Sequence, residues 1–566
     1  MDKFKIDIVN NNNNIKTVEI EKNTSFKKIV SDYYNDDEKI VLINFSGEHK
    51  ELCSKLEKEG TISPIFVDSE EGFKVYERTL QYIFIRAALE IFEDAKIKIE
   101  HSISNGTFGE IIKEDKLSEE DILLIKDKMQ EIIKKDMEIK KIEVTKEKAI
   151  NIFRGYGMKD KIQLLSQMDF KTVHLYELDG RYDYFYGPMA YSTGIIKAFD
   201  LIKYEHGFIL KNPSKENVNV LEEFKEQKSL AKIFYETKKW LDILGASEVG
   251  SLNDKVLSDE LRDLILVSEA LHEKKIAYIA DNIANRKDVK IVLIAGPSSS
   301  GKTTFANRLG VQLRVNGLVP VRISLDDYFL NRDVTPRDEN GDYDFESIYS
   351  IDLKLFNQDL RELLIGNEAE IPIYNFKTGR REKNGTKLKL PENGVLVIEG
   401  IHGLNPILTS EIPDKNKFKI YISALTQLNL DNHNRIATTD VRKIRRIVRD
   451  YLSRGYGGED TLSMWPSIKK GEKKNIFVYQ EEADAMFNST LVYELCVLKP
   501  YALKELNKIR KNSPVYNEAV RLKSFLNFFK EIEFTKVPEN SILREFIGGS
   551  CFYKYWLSWA HGPWLI

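Results

Sequence analysis

"GPSSSGKTTFANRL", residues 296–309, decides how this chain is read. Gly296, Gly301, Lys302 and Thr303 complete the pattern G-x-x-x-x-G-K-[ST], whose glycines let backbone N–H groups close on phosphate oxygens at the positive end of the following helix. Lys302 adds a point charge for the outer phosphates, and the Thr303 hydroxyl can ligate Mg²⁺. Ser298, Ser299 and Ser300 keep the loop small and polar, and Thr304 continues the helix start. The context agrees: "IVLIA" before the loop reads as a strand, and "KTTFANRLGVQLRVNG" after Gly301 reads as an amphipathic helix. Residues 296–304 are therefore expected to hold a nucleoside triphosphate.

Working outward, "KIVLIAG", "PVRISLDD", "GVLVIEG" and "FKIYISA" are short β-branched runs separated by helical segments. Continuous apolar runs without alternation are the mark of parallel strands covered on both faces, so this half is expected to be a doubly wound α/β fold. Its ligand crevice lies at the carboxyl ends of the strands. Asp326 and Asp327 in "SLDDYF" fall at such an end, where a carboxylate can accept a proton from an attacking hydroxyl, although either also suits a turn or helix cap. Glu399, closing "VLVIEG", is placed to hold a metal directly or through water. "RKIRRIVRDYLSRG" carries Arg442, Arg445, Arg446, Arg449 and Arg454 at helical spacings. Such a run is either a solvated face or, following a strand of this sheet, a mobile arginine lid.

At 566 residues the chain exceeds what one core supports, and several domains are expected. The charges, 85 basic against 88 acidic, nearly cancel and exclude an overall attraction to nucleic acid or anionic membrane. Cys53, Cys496 and Cys551 lie far apart without metal or disulfide spacing, as suits a reducing compartment, and no signal peptide or membrane span is read. In the front part, "KFKIDIV" and "KTVEIEK" alternate like a hairpin, and a long amphipathic helix starts near residue 70. Residues 113–150 read as a solvated helix feeding a strand, and residues 216–286 as bridging helices. The expected boundaries are 1–65, 66–215, 216–287, 288–500 and 501–566.

The segment from about 288 to 500 resembles the uridine kinase and phosphoribulokinase family of P-loop kinases. The resemblance rests on "GPSSSGKTT", "ISLDDYF", "YDFESIYSID", "IPIYNFKTGRR", "VLVIEGIHGL" and "RRIVRDYLSRG", in the family's order. It implies Asp326 as the base for a sugar 5′-hydroxyl, and Thr303 with Glu399 as the Mg²⁺ site. It further implies Asp344 on the ribose with Arg446 as its partner, Tyr374 and Phe376 as the wall for the base, and Arg449 and Arg454 over the phosphates. Two positions depart: Thr378 and Gly379 stand where uridine kinases carry a base-reading histidine, and Tyr456 stands for the last lid arginine.

Residues 1–65 resemble a TGS module, and "DSEEGFKVYERTLQYIFIRAALEIF" with "DYFYGPMAYSTGIIKAFDLIK" resembles the second additional, editing domain of threonyl-tRNA synthetases. The four metal-capable positions of that domain are here Arg78, Tyr82, Phe185 and Met189, implying a fold kept without its chemistry as a regulatory or RNA-sensing appendage. His101 is read as structural. The expected function is a cytoplasmic, Mg-ATP-dependent ribonucleoside 5′-kinase, with RNA contact through the front half and homo-oligomerisation left open. A kinase for another acceptor such as a sugar phosphate, or a nucleotide-gated RNA-binding regulator, is the alternative. No N-K-x-D motif follows the loop to support a GTPase.

Overall fold

In the C-terminal half, β1 (Ile291–Ala295), β2 (Val319–Ser324), β3 (Gly394–Glu399), β4 (Lys417–Ser423) and β5 (Ala485–Asn488) form one sheet in the order β2-β3-β1-β4-β5. Every pairing in it is parallel. The computed structural model describes residues 3–552 apart from 11–13, 36–38, 338–340, 342, 376 and 377. All residues of β1 and β3 are buried, yet alternate ones serve different layers. Val292 and Ile294 pack with Phe305 and Leu309 of α1 (Lys302–Val315). Ile291 and Leu293 pack with Phe356 and Leu360 of α2 (Leu353–Leu364) on the opposite face. The doubly wound expectation holds, and the crevice lies where β1 and β3 end, beside Gly296 and Glu399.

The front residues form a five-stranded sheet over 3–66, opened by the expected hairpin Lys3–Val9 with Ile15–Glu21. The long helix runs Glu70–Ile91 and starts on the Ser69 hydroxyl, which accepts from Gly72 N. A four-stranded and a three-stranded sheet follow between residues 96 and 211. The charged stretch after residue 113 folds as helix Glu119–Lys134 feeding strand Lys140–Thr145, and Ile122, Ile125, Met129 and Ile132 of that helix are buried. Helices Lys228–Leu244, Val249–Leu257 and Leu261–Ala284 bridge to β1. No helix among the described residues is long and apolar enough to cross a membrane.

What ties the halves together is a hairpin that leaves the C-terminal sheet after β4, Asn429–Asp431 with Asn434–Arg435. Ile99 N donates to Asn432 O at 2.8 Å, and Asn429 Nδ2 donates to Ile99 O at 3.0 Å. At the base of this hairpin Lys161, 1% exposed, reaches Asp183 at 2.9 Å and Asp431 at 3.0 Å, while His433 Nδ1 meets Asp183 at 2.7 Å. The Lys161 ammonium and the His433 ring hold Asp183 well below the usual carboxylate range against the burial that would raise it. His101 lies in the same seam, stacked on Phe234 with centroids 3.6 Å apart and 3.1 Å from Gln427 Nε2. Burial holds its pKa well below that of a free imidazole, so it stays neutral and packs.

Candidate active site

Gly296 ends β1 where a Cβ would lie 2.0 Å from Ile422 O, so no other residue fits without moving β4. Gly301, at φ +84°, turns the chain left-handed into α1, and Ser299 shares that region at φ +61°. The result is a cradle whose Ser299 and Ser300 hydroxyls are buried without a hydrogen-bond partner among the described residues. Buried polar groups left open in this way suit an incoming set of acceptor oxygens. Lys302 folds back over the loop, donating to Gly296 O at 2.9 Å and Pro297 O at 3.1 Å, and burial lowers its pKa.

Across the crevice, Thr303 Oγ1 donates to Glu399 Oε1 at 3.2 Å, and Arg322 Nη2 donates to the same oxygen at 2.9 Å. Asp326 and Asp327 sit on the 3₁₀ turn Leu325–Tyr328 directly after β2. Asp326 is pushed above the ordinary carboxylate range, first by burial and then by the charge of Glu399, with Lys302 opposing. Thr303 and Glu399 thus meet as a pair of hard oxygen donors of the kind Mg²⁺ takes, with the Asp326 carboxylate near enough to feel the Glu399 charge. Asp327 does something else: its Oδ1 accepts from Tyr374 N at 3.3 Å, a turn-fixing role, and burial raises its pKa to about 6.

The opposite wall is aromatic. Tyr374 lies 5.8 Å from Phe329, which lies 6.2 Å from Phe345, with Tyr343 5.8 Å further on. Asp344 sits between Tyr343 and Phe345, and its backbone N donates to Pro336 O at 2.9 Å. Phe376 lies outside the described residues. Arg332 stands close enough to the Tyr374 hydroxyl for its charge to oppose the rise in pKa that burial causes there.

The arginine run forms α3 (Thr438–Arg449) and a following turn, Asp450–Arg454. Here the reading as an open lid needs correction for two members. Arg442 and Arg445 are 2% and 0% exposed; Arg442 pairs with Glu472 and donates to Ser298 O at 3.0 Å, and Arg445 pairs with Glu494 at 2.6 Å. They are locked in place because buried guanidinium groups need their carboxylates, and they brace the loop from below. Arg446 also differs: it donates to Ser298 Oγ at 2.6 Å and meets Asp450 at 3.1 Å, instead of pairing with Asp344. Arg449 and Arg454 share Asp450, at 2.8 and 3.9 Å, and their charges reach Asp326.

Three carboxylates in this site were not legible as site residues. Glu472, from α4 (Gly458–Asn475), accepts from Ser298 N at 2.9 Å. Glu346 faces Glu472 and Arg446. Glu545, from the C-terminal extension, accepts from Thr304 N at 3.0 Å, and Ile542 packs 2.9 Å from where a Gly301 Cβ would be. Glu472 lies in "KKGEKKN", which reads as a solvated face, and Glu545 lies in "LREFIGG", which carries no motif.

Burial, then the neighbouring Glu472 charge, pushes Glu346 up to about 7. A carboxyl raised on folding adds stability at low pH that is lost as pH rises through about 7. Glu346→Gln is therefore expected to melt higher than the native protein at pH 8 and like it at pH 5. Thermal unfolding at both pH values checks this, and an equal offset at both contradicts it.

These elements and this geometry have relatives. Residues 291–494 match the Phosphoribulokinase / Uridine kinase family. The matched segment spans β1 to the start of the helix after β5 and contains the cradle, Asp326 and Glu399; Glu545 lies beyond it. A solved structure described as a possible uridine kinase from Bacillus stearothermophilus is 20% identical, covers 38% of this chain and 98% of its own, and superposes with a TM-score of 0.26. The N-terminal half matches threonyl-tRNA ligases. That of Syntrophotalea carbinolica is 31% identical over 163 residues, 28% of this chain and 26% of the relative. That of Caldanaerobacter subterraneus subsp. tengcongensis is 30% identical over 159 residues, 28% and 25%. The chain spans about a quarter of the length of these curated relatives. Of the four residues that the sequence comparison singled out in the front half, Tyr82 donates to Tyr176 O and Arg181 O at 2.9 Å and packs on Phe185 at 4.9 Å. Arg78 donates to Pro188 O at 2.5 Å, and Met189 is 2% exposed.

Proposed function

We propose that the protein is an ATP-dependent phosphotransferase that transfers the γ-phosphoryl group to the 5′-hydroxyl of a ribonucleoside. The observation that supports this most is Asp326: a carboxylate raised in pKa, at the end of β2, facing Glu399 and Lys302 across the cradle. The loop 296–304 binds the phosphates through its N–H groups, its open serine hydroxyls and Lys302. Thr303 and Glu399 would hold Mg²⁺, which when bound neutralises charge on the phosphates. Asp326 accepts the proton of the acceptor hydroxyl, and its raised pKa makes it a better base than an ordinary aspartate once ionised. The Tyr374–Phe329–Phe345 wall receives a flat base, and Asp344, between Tyr343 and Phe345, is assigned the ribose hydroxyls. Arg449 and Arg454 supply charge above the transferring group.

A second reading has its own support. Arg332, whose charge acts on the Tyr374 hydroxyl, puts a cation on the acceptor wall, as a sugar phosphate would need. ADP release from Mg-ATP with a panel of ribonucleosides, deoxyribonucleosides and sugar phosphates separates the two. Release stimulated by a ribonucleoside supports the first reading, release stimulated by a sugar phosphate alone supports the second, and background release with all contradicts both.

Glu545 adds a prediction. Its carboxylate takes the Thr304 N–H at the helix start and its charge acts on Lys302, so it competes with a phosphate for the same positive end. Glu545→Gln is expected to lower the apparent KM for ATP roughly fivefold, about 1 kcal/mol. An unchanged or raised KM contradicts the competition.

A further inference from the structure

A cavity of about 820 Å³ opens between the two halves, away from the phosphate loop. Its size is that of small-molecule sites. One wall is the helix Glu70–Ile91, the other the hairpin end at Arg435 and the α4 face carrying Lys469 and Lys473. None of residues 296–304 lines it.

The cavity's cations outnumber its available carboxylates. Glu70 is shared by Lys469 at 3.1 Å and Lys74 at 3.9 Å, and Asp440 is taken by a bidentate pair with Arg521 at 2.5 and 2.8 Å. Glu77 accepts from Asn212 Nδ2 at 2.8 Å, and its burial raises its pKa toward the neutral form. Arg435 has no ion pair among the described residues, and burial pushes both it and Lys74 below their ordinary pKa values. Half-buried cations with so little counter-charge left over, Arg435 being within reach only of Glu77 and the already paired Asp440, call for an anion. The lining also carries Glu222, which holds Asn105, and Glu216, within reach of the Lys473 charge, acceptors suited to sugar hydroxyls and ring amines, together with the aromatic side chains of Phe73 and Tyr186.

We propose that this cavity binds a nucleoside monophosphate, its phosphate held by Lys74, Arg435, Lys469 and Lys473. The site stands whether or not the phosphate loop serves a kinase. Its coupling to that loop does rest on the kinase reading, and it has a physical route. Lys469 and Lys473 share α4 with Glu472, which holds Ser298 N, and Arg435 precedes α3, whose Arg442 and Arg446 hold Ser298 from the other side. A phosphate drawing α4 and the hairpin together would act on both braces of the loop.

The test is calorimetric titration of AMP, GMP, CMP and UMP into the full chain carrying Lys302→Ala, which weakens phosphate binding in the loop. At least one is expected to bind, and adding Lys74→Glu or Lys473→Glu is expected to weaken it at least tenfold; both side chains reach solvent, so neither change should disturb folding, and melting curves verify this. No binding by any of the four, or binding weakened less than tenfold by both substitutions, overturns the site. If Lys74→Glu or Lys473→Glu abolishes nucleotide binding yet, introduced into the protein with Lys302 intact, leaves ADP release and its response to the monophosphate unchanged, the coupling is overturned and the site stands.

Discussion

Asp326→Asn is expected to lower turnover by about 10²- to 10⁴-fold while ATP still binds. Asparagine keeps the size and hydrogen-bonding reach of the side chain on the turn after β2 and removes only its ability to take a proton. The cradle is built by Gly296, Gly301 and the braces on Ser298, none of which touches Asp326, so nucleotide affinity has no reason to fall. On the proposed reading the native protein should also lose activity as pH falls through the Asp326 pKa, which burial and Glu399 hold above the ordinary carboxylate range. In the Asn variant that acid limb should vanish from the residual rate. Near-native turnover in the variant would move the base elsewhere, with Asp327 the neighbour to try next.

Lys161→Ala is expected to destabilise the fold by about 3–5 kcal/mol. The ammonium is the shared counter-charge of Asp183 and Asp431, both buried, and its own pKa is raised by them against the burial that would lower it. Removing it leaves two carboxylates facing each other in the seam where the hairpin enters the front half. Denaturant unfolding of the full chain measures the loss, and a value below about 1 kcal/mol, that of an exposed pair, would mean that water reaches the seam. Asp431→Asn should cost less, since Lys161 keeps Asp183.

How much of this was legible in the sequence depends on how local each signal is. The cradle and the parallel strands were, because a glycine pattern between a strand and a helix, and apolar runs such as "IVLIA", are decided within a few residues. The positions of Asp326 and Glu399 were, since strand ends fix where they project, and that of Thr303 was, since it opens the helix after the loop. The roles inside the arginine run were not: periodicity placed Arg442, Arg445 and Arg446 on a helix, but which face was buried depended on Glu472 and Glu494, separated from them by tens of residues. Glu545 was invisible for the same reason, since its partner Thr304 lies 241 positions away and nothing around it is periodic. The hairpin at 429–435 carries no motif, and only the fold reveals that its polar groups meet Ile99, Asp160 and Lys161 in the front half.

The most direct measurement is the position of the phosphate on the product. With Mg-ATP and the ribonucleoside that best stimulates ADP release, ³¹P NMR should find a phosphomonoester coupled to the 5′ protons of the sugar, and no such signal with the Asp326→Asn protein on the same timescale. A phosphate on another hydroxyl, or inorganic phosphate alone, would contradict a cradle that aims its terminal phosphoryl group at a hydroxyl beside Asp326.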